Sequence, residues 1–82
     1  MYEIIYDDDA IRFLAALPTA LRKRIHDKIT STKETPHRFF ERLSGRSDFK
    51  LRIGDYRVIA NIDDAKRRIE VTLIGHRKNI YD

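Results

Sequence analysis

Residues Phe49–Ile62, FKLRIGDYRVIANI, decide the fold of this 82-residue chain because they predict a β-hairpin with a defined register. Apolar and polar residues alternate on both sides of Gly54-Asp55, and glycine at the first central position of a two-residue turn favours type II′. With this turn, Arg52 lies directly opposite Arg57. The stretch therefore predicts one apolar face and one basic face.

The basic face of the predicted hairpin carries Lys50, Arg52 and Arg57, with Lys50 opposite Ile59. Directly opposed side chains have Cβ atoms about 4.5–5.5 Å apart, and like charges in that arrangement are destabilising. A bound phosphate is one explanation for two facing arginines. An ordinary solvated sheet face in a basic protein is the other. The hairpin alone leaves both interpretations open.

Length and composition limit the classes of protein to which this chain can belong. Residues 1–82 are enough for a single small domain, and the net charge of +4 favours acidic partners such as nucleic acid. The chain has no cysteine, and its histidines lie too far apart for a local metal-ligand pattern, so we expect no metal and no cofactor. Without a signal peptide or a membrane-spanning apolar run, we expect a cytoplasmic protein with no membrane partner.

The N-terminal half predicts a strand followed by an antiparallel pair of helices. Tyr2–Tyr6 is apolar or aromatic at nearly every position, as in a strand interior to a sheet. The aspartates at 7–9 then introduce a helix over about Asp8–Leu17, where we expect carboxylates to cap free N–H groups and complement the helix dipole. Pro18 ends that helix, and a second helix spans roughly Thr19–Lys33. Apolar residues three and four positions apart predict one buried stripe on each helix.

The second predicted helix contains a strongly basic segment, LRKRIHDK at residues 21–28. Such a segment can bind a backbone phosphate or an acidic partner. We favour a solvated outer helix face, because lysine and arginine are mostly exposed on helices of this size.

After the second helix the chain predicts an irregular connection and then three consecutive strands. Phe39, Phe40 and Leu43 are expected to anchor the connection to the core. A turn at residues 63–66 precedes a last strand over Arg68–Ile74. Alternation puts Ile69, Val71 and Leu73 on one face of that strand and Glu70, Thr72, Ile74 and His76 on the other.

These elements predict an α+β fold. An N-terminal strand and a two-helix antiparallel hairpin precede a three-stranded antiparallel meander, with the helices on one face of a curved four-stranded sheet. The helices take the apolar face. The basic face is expected to stay open to solvent or to a partner.

Two segments, LSGRSDFKLRIGDYRVIANI at residues 43–62 and IGHRKNIYD at residues 74–82, resemble the RelE/ParE superfamily of type II toxins. The resemblance covers nearly the whole chain, and the short interval from Arg77 to Tyr81 is similar to that of archaeal RelE-like forms. RelE-like members are ribosome-dependent endoribonucleases that cut mRNA in the A site, whereas ParE-like members inhibit DNA gyrase.

The residue set favours the RelE-like branch. The nuclease pattern of that branch has basic residues at the positions of Lys50, Arg52, Arg57 and Arg77 and a tyrosine at the position of Tyr81, and all five are present. The resemblance therefore implies an endoribonuclease with a cognate antitoxin, whose amphipathic segment covers the basic face, and with the ribosome and mRNA as further partners. A ParE-like gyrase inhibitor and a non-enzymatic nucleic-acid-binding module are the alternatives.

The implied reaction is metal-free attack of a ribose 2′-OH on the adjacent phosphate. Lys50, Arg52 and Arg57 suit the phosphoryl oxygens, because guanidinium groups bind such oxygens bidentately. Tyr81 is the expected base, since neighbouring cations stabilise a phenolate. Arg77 is expected to stabilise charge on the leaving oxygen.

His76 is the nearby residue that suits proton transfer at neutral pH, and a sheet-face or phosphate-contacting role is equally compatible with its position. Strand alternation puts Arg77 on the covered face together with Gly75, away from the proposed site. We therefore expect the last strand to end or bulge at Gly75, which would redirect Arg77.

Overall fold

Two helices cover one face of a five-stranded sheet in the computed structural model, which describes residues 1–80. The elements are β1 (Glu3–Tyr6), α1 (Asp8–Ala15), α2 (Thr19–Thr30), a 3₁₀ turn (Pro36–Arg38), β2 (Glu41–Arg42), β3 (Phe49–Ile53), β4 (Tyr56–Asp63) and β5 (Arg68–His76). The sheet order is β1-β5-β4-β3-β2. The predicted α+β class is confirmed, and the short β2 adds one strand to the predicted four.

The β3–β4 hairpin has the predicted register. Arg52 pairs with Arg57, and Lys50 pairs with Ile59. Gly54 has a φ of 57°, which is the left-handed conformation that the first turn position of a type II′ turn requires. The alternating pattern and the turn residue were therefore sufficient to place these side chains on their faces.

The core lies between the two helices and the sheet. Ala10 and Leu14 of α1 and Ile25 and Ile29 of α2 are buried, as the i, i+3, i+4 spacing predicts. They pack against the inward residues of the strands, which are Phe49, Leu51, Ile53, Val58, Ala60, Ile69, Val71 and Ile74. Neither helix within residues 1–80 is long and apolar enough to cross a membrane.

The position of β1 differs from the prediction. β1 lies at the edge of the sheet, where it pairs in parallel with β5 and places Ile4 beside Ile69. Ile4 and Tyr6 pack against the core, whereas Ile5 is exposed. The nearly continuous apolar run was wrongly interpreted as an interior strand, because hydrophobicity does not report how many neighbours a strand has.

The start of α1 also differs from the prediction. Asp7 occupies the N-cap position, but its side chain makes no capping hydrogen bond, so the predicted cap is wrong there. The Asp7 amide donates to the Val71 carbonyl at 2.9 Å, which ties the residue to β5. Its carboxyl then lies beside Glu70 and raises the pKa of that side chain. Asp8 and Asp9 occupy the first turn, where their charges complement the helix dipole.

A bulge in β5 breaks the predicted alternation. Ala60 pairs with Val71, but the preceding residue of β4, Ile59, pairs with Leu73, so Thr72 is an extra residue on β5. The Thr72 hydroxyl donates to the Ile59 carbonyl at 3.2 Å. This hydrogen bond gives the extra residue a defined position in the sheet.

The bulge reverses the faces of every later residue in β5. Ile74 is buried under the helices, whereas Leu73 is 43% exposed on the opposite face. His76 lies on the helix side, and Gly75 lies on the basic side opposite Arg57. The sequence-based assignment of Leu73, Ile74 and His76 was wrong, because strict alternation holds only for a strand without an inserted residue.

Candidate functional site

Lys50, Arg52 and Arg57 share one face of the β3–β4 hairpin, as predicted. The face is less open than expected, because Lys50 is 6% exposed and Arg57 is 8% exposed, whereas Arg52 is exposed. Ile59, opposite Lys50, is buried as well. Alternation identified the correct side of the sheet, but it does not reveal what covers that side.

The chain after His76, called the tail below, contacts this face at Gly75, the register partner of Arg57. A Cβ atom at Gly75 would lie 2.8 Å from Cδ1 of Ile80, so the Ile80 side chain packs directly on the glycine. A side chain at this position fits only if the Ile80 side chain moves. The tail and the basic face therefore meet at this point.

The Arg57 guanidinium group is anchored at the tip of the hairpin. Its Nη1 atom donates to the carbonyl oxygens of Gly54 at 2.9 Å and Tyr56 at 3.0 Å. The side chain thus turns toward the Gly54-Asp55 turn, which fixes the position of its charge.

Arg77 reaches the same turn from the C-terminal segment. Its amide donates to the Asp55 carbonyl at 2.7 Å, and its Nε atom lies 3.6 Å from the Asp55 carboxylate. The predicted strand end or bulge at Gly75 is wrong, since β5 continues to His76 and its bulge is at Thr72. The earlier bulge nevertheless brings Gly75 to the basic side, and Arg77 follows at the end of the strand.

A third guanidinium group approaches the turn from α2. A Cβ atom at Gly54 would lie 3.1 Å from Nη2 of Arg24, so that side chain lies over the glycine. Arg24, Arg57 and Arg77 thus converge on a two-residue turn from α2, β4 and the C-terminal segment. Arg24 belongs to the segment 21–28, which we interpreted from sequence as a solvated helix face. Only its packing against the hairpin distinguishes it from its neighbours.

His76 lies on the other side of the sheet from this cluster of guanidinium groups. Its ring contacts the ring of Tyr56 at 5.4 Å, and Tyr56 contacts Phe13 of α1 at 6.1 Å. The His76 Nδ1 atom accepts a hydrogen bond from the Lys78 amide at 3.2 Å. The residue therefore holds the start of the tail, and its placement argues against direct proton transfer at the basic face.

The predicted base, Tyr81, lies outside the described residues. The structure thus brings together four of the predicted cations, Lys50, Arg52, Arg57 and Arg77, around the hairpin. It separates His76 from them. It also adds Arg24, which the sequence did not single out.

A cleft between α2 and β3 adjoins the basic face. One cavity of about 240 Å³ lies beside Phe39, Lys50 and Arg52, and a second of about 580 Å³ lies beside Arg24 and Gly54. Phe40 and Leu43 are buried as predicted, but Phe39 is 39% exposed in this cleft. The prediction that Phe39 anchors the connection to the core is wrong, because the 3₁₀ turn before it directs Phe39 outward while Phe40 faces inward.

Known structures share this fold. The chain aligns with the toxin–antitoxin complex RelBE2 from Mycobacterium tuberculosis at a TM-score of 0.85 and 24% identity, covering 93% of this chain and 98% of that one. The archaeal RelE–RelB complex from Pyrococcus horikoshii OT3 gives a TM-score of 0.79 and 22% identity, covering 96% and 98%. The E. coli RelBE complex gives a TM-score of 0.78 and 21% identity, covering 93% and 96%. The fold is therefore that of the RelE-type toxins.

Sequence comparison assigns the family. The model described as the ParE toxin of the type II toxin-antitoxin system parDE matches residues 4–81. The chain belongs to this family, within the RelE/ParE superfamily of type II toxins, and the predicted resemblance is confirmed. No curated protein matches the chain in sequence.

Proposed function

We propose that this toxin is a ribosome-dependent endoribonuclease that cleaves mRNA in the A site. The observation that carries the proposal is the facing pair Arg52 and Arg57 on two hydrogen-bonded strands, with Arg77 held at the tip of the same hairpin. Opposed cations on neighbouring strands repel each other, so a position between them favours an anion. A phosphodiester supplies that anion.

The proposed reaction is transesterification. The 2′ oxygen of a ribose attacks the adjacent phosphorus, the new O2′–P bond forms and the P–O5′ bond breaks. The products are a 2′,3′-cyclic phosphate and a free 5′-hydroxyl. The 2′ proton goes to a base, and the leaving O5′ receives a proton, so the reaction requires no co-reactant.

The hairpin cations serve the phosphate. Arg52 is exposed at the surface, while Lys50 and Arg57 lie almost fully out of solvent. A cation in a water-poor site interacts more strongly with developing negative charge than one in bulk solvent. The hydrogen bonds from Arg57 to the turn carbonyls keep its guanidinium in place before the substrate arrives.

In the proposed mechanism the tail supplies the base and the cation beside the leaving oxygen. We assign Tyr81 as the base for the 2′-OH and Arg77 as the cation that stabilises the leaving oxygen. Arginine rarely gives up its proton, so charge stabilisation suits it better than acid catalysis. His76 remains a predicted proton-transfer residue, but its hydrogen bond to the tail supports a positioning role.

Dependence on the ribosome follows from this weak set of acid and base groups. A tyrosine base and an arginine beside the leaving oxygen give slow chemistry unless the RNA is held with its 2′-OH in line with the P–O5′ bond. Such positioning contributes many orders of magnitude to rate. The ribosomal A site supplies it in the proposed mechanism.

An antitoxin is the proposed regulatory partner. The RelE structures from E. coli, M. tuberculosis and P. horikoshii are toxin–antitoxin complexes. For this chain we propose an antitoxin with an amphipathic segment that covers the basic hairpin face and displaces the tail. The contact of Ile80 with Gly75 gives such a segment an apolar position to replace.

Gyrase inhibition is the second candidate function, and one observation favours it. The family model that matches residues 4–81 is that of a ParE toxin, and the superfamily resemblance associates ParE with DNA gyrase. A gyrase inhibitor needs a protein-binding surface and no base for RNA cleavage. The complete set of four cations with Tyr81 argues for the nuclease.

Primer extension on mRNA from a translating extract, with and without the purified protein, tests the proposal. We expect new 5′ ends within A-site codons and almost no cleavage of the same RNA without ribosomes. Arg77→Ala should lower the cleavage rate by about 10²–10³ and Tyr81→Phe by about 10²–10⁴. Lys66→Gln, in the exposed β4–β5 turn, is the matched control and should cleave normally.

Induction in cells separates the two candidates. Cut transcripts with arrested translation support the nuclease, whereas DNA breaks with an SOS response support gyrase inhibition. Unchanged cleavage in both Arg77→Ala and Tyr81→Phe would overturn the assigned roles.

A further inference from the structure

The cleft between α2 and β3 is continuous with the basic face of the hairpin. Its two cavities, about 240 Å³ and 580 Å³, share Lys28 and Arg52 as lining residues. One end reaches Gly54 at the hairpin tip, and the other reaches Phe39. A strand bound at the tip can therefore continue along β3 without leaving the protein surface.

Within residues 1–80, three cations along this cleft have no carboxylate partner. Arg24, Lys28 and Arg38 form no ion pair within residues 1–80, although other cations of the surface do, such as Arg12 with Asp9. The carboxylates that line the cleft are those of Asp27 and Glu41.

Neither acidic residue neutralises the cleft. Asp27 accepts a 2.6 Å hydrogen bond from Lys23 on the outer side of α2, and this contact lowers the pKa of its carboxyl. Glu41 is outnumbered by the cations around it. The cleft therefore has a net positive potential along its length.

An aromatic ring stands among these charges. Phe39 is 39% exposed, and the Lys28 ammonium group lies 5.1 Å from the centre of its ring. Arg38, the preceding residue, lines the same cavity. An exposed ring flanked by cations is the arrangement that binds unpaired nucleotides, because a base stacks on the ring while its phosphates contact the cations.

We propose that this cleft binds single-stranded RNA, with one unpaired base stacked on Phe39 and successive phosphates contacting Arg24, Lys28 and Arg38. The inference rests on the proposed function, in that the bound strand is the RNA whose scissile phosphate lies at the hairpin tip. The proposed subsite lies beside the residues that we assign to catalysis.

An acidic peptide is the competing occupant. Carboxylates would satisfy the cations, but they leave Phe39 in partial contact with water. A nucleotide satisfies both features at once, since it presents a phosphate and an aromatic face on each unit. The combination of ring and cations therefore favours RNA.

The stacking subsite is tested by fluorescence anisotropy with the full-length protein and a labelled 2′-O-methyl RNA hexamer, which binds without being cleaved. Phe39→Leu keeps an apolar side chain but removes the aromatic face. We expect about tenfold weaker binding of the hexamer. An abasic hexamer of equal charge should bind wild type and Phe39→Leu equally, because it has no base to stack.

The phosphate contacts are tested by salt dependence. Lys28→Gln should reduce the slope of log affinity against log salt by about 0.7 for both hexamers, as loss of one phosphate contact does for a single strand. Lys66→Gln removes the same charge from the β4–β5 turn and should leave the slope unchanged. Thermal unfolding of each variant establishes that it is folded.

The outcomes of these measurements test the RNA-binding subsite separately from the proposed endoribonuclease activity. Wild-type RNA affinity in Phe39→Leu and Lys28→Gln overturns the subsite, even if cleavage on ribosomes is intact. Unchanged RNA affinity together with lost binding of the cognate antitoxin identifies the cleft as a protein interface and also overturns it. Weakened RNA binding with no cleavage activity in the wild-type protein supports the subsite and overturns the nuclease.

Discussion

Ile80 packs directly on Gly75, because a Cβ atom at Gly75 would lie only 2.8 Å from Cδ1 of Ile80. Gly75 is the register partner of Arg57, so this contact joins the C-terminal tail to the basic face of the hairpin. The amide of Arg77 holds the same tail to Asp55 at 2.7 Å. The tail therefore has two attachment points beside the candidate site.

Gly75→Ala should displace the tail. The new methyl group overlaps Ile80, so we expect a loss of about 1 kcal/mol in the free energy of unfolding. If the tail carries catalytic groups, cleavage on ribosomes should fall by about 10²-fold, because small misplacements of reacting groups have large effects on rate. Urea denaturation and primer extension measure the two effects.

The double variant Gly75→Ala/Ile80→Ala provides the control. Removing most of the Ile80 side chain makes room for the methyl group, so the double variant should be less destabilised than the sum of the single variants. Strictly additive losses would show that the two residues do not act through their contact.

Tyr6→Phe should stabilise the protein. The Tyr6 hydroxyl is buried without a hydrogen-bond partner in residues 1–80, and burial raises the pKa of this side chain to about 12. Removing an unsatisfied buried hydroxyl avoids its desolvation cost, so the free energy of unfolding should rise by about 1 kcal/mol in urea denaturation.

Tyr2→Phe is the matched control for Tyr6→Phe. The Tyr2 hydroxyl donates to Asp64 at 2.7 Å, so its loss should lower stability. Destabilisation of equal size in both variants would contradict the burial argument.

Asp64 should make stability depend on acidic pH. Hydrogen bonds from His37 at 2.8 Å and from Tyr2 at 2.7 Å hold the pKa of its carboxyl below the ordinary value of 3.8. Below about pH 4 the unfolded chain therefore binds more protons than the folded one at this site, and the stabilisation is lost as pH falls through the folded pKa.

Asp64→Asn tests this dependence. The variant should be less stable than wild type at pH 7. The difference in the free energy of unfolding should be smaller at pH 3, because protonation of Asp64 removes its stabilising hydrogen bonds from the wild-type protein. Urea denaturation at the two pH values measures the difference. A gap that stays constant or widens on acidification would falsify the assignment to Asp64.

Ile25→Ala should identify α2 as part of the core. Ile25 is 0% exposed, so truncation leaves a cavity and should lower the free energy of unfolding by about 2–5 kcal/mol. Ile11→Ala on α1 is the matched control, since Ile11 is 51% exposed and its truncation should change stability by less than about 0.5 kcal/mol. Chemical denaturation measures the free energy of unfolding of both variants. A large loss in Ile25→Ala alone shows that α2 shares the core with the sheet, whereas equally small losses in both variants would contradict this.

Local patterns accounted for much of the fold. The register of β3 and β4 followed from period-two alternation and a single glycine, and the buried stripes of α1 and α2 followed from their 3.6-residue spacing. The helix ends were predicted too far along the chain, since α1 ends at Ala15 and α2 at Thr30. Nothing in the local sequence signals the last hydrogen bond of a helix unless a cap residue is present.

The candidate site was only partly predictable. The sequence placed Lys50, Arg52 and Arg57 on one face, because strand alternation is local. It misplaced His76, because the bulge at Thr72 arises from pairing with Ile59 on another strand. Arg24 is exposed, as predicted for its helix face, but the sequence did not show that it lies over Gly54, and it wrongly treated Phe39 as a core anchor. Both positions depend on how α2 lies over β3.

The sequence by itself therefore determined the class of fold, the hairpin register and the identity of the cations. Those properties depend on residues near one another in the chain, whose spacing the backbone geometry converts directly into faces. Only the tertiary structure decided that the guanidinium groups of Arg24, Arg57 and Arg77 meet at one turn. That meeting requires a helix, a strand and a tail from distant parts of the chain, and it is packing that brings them together.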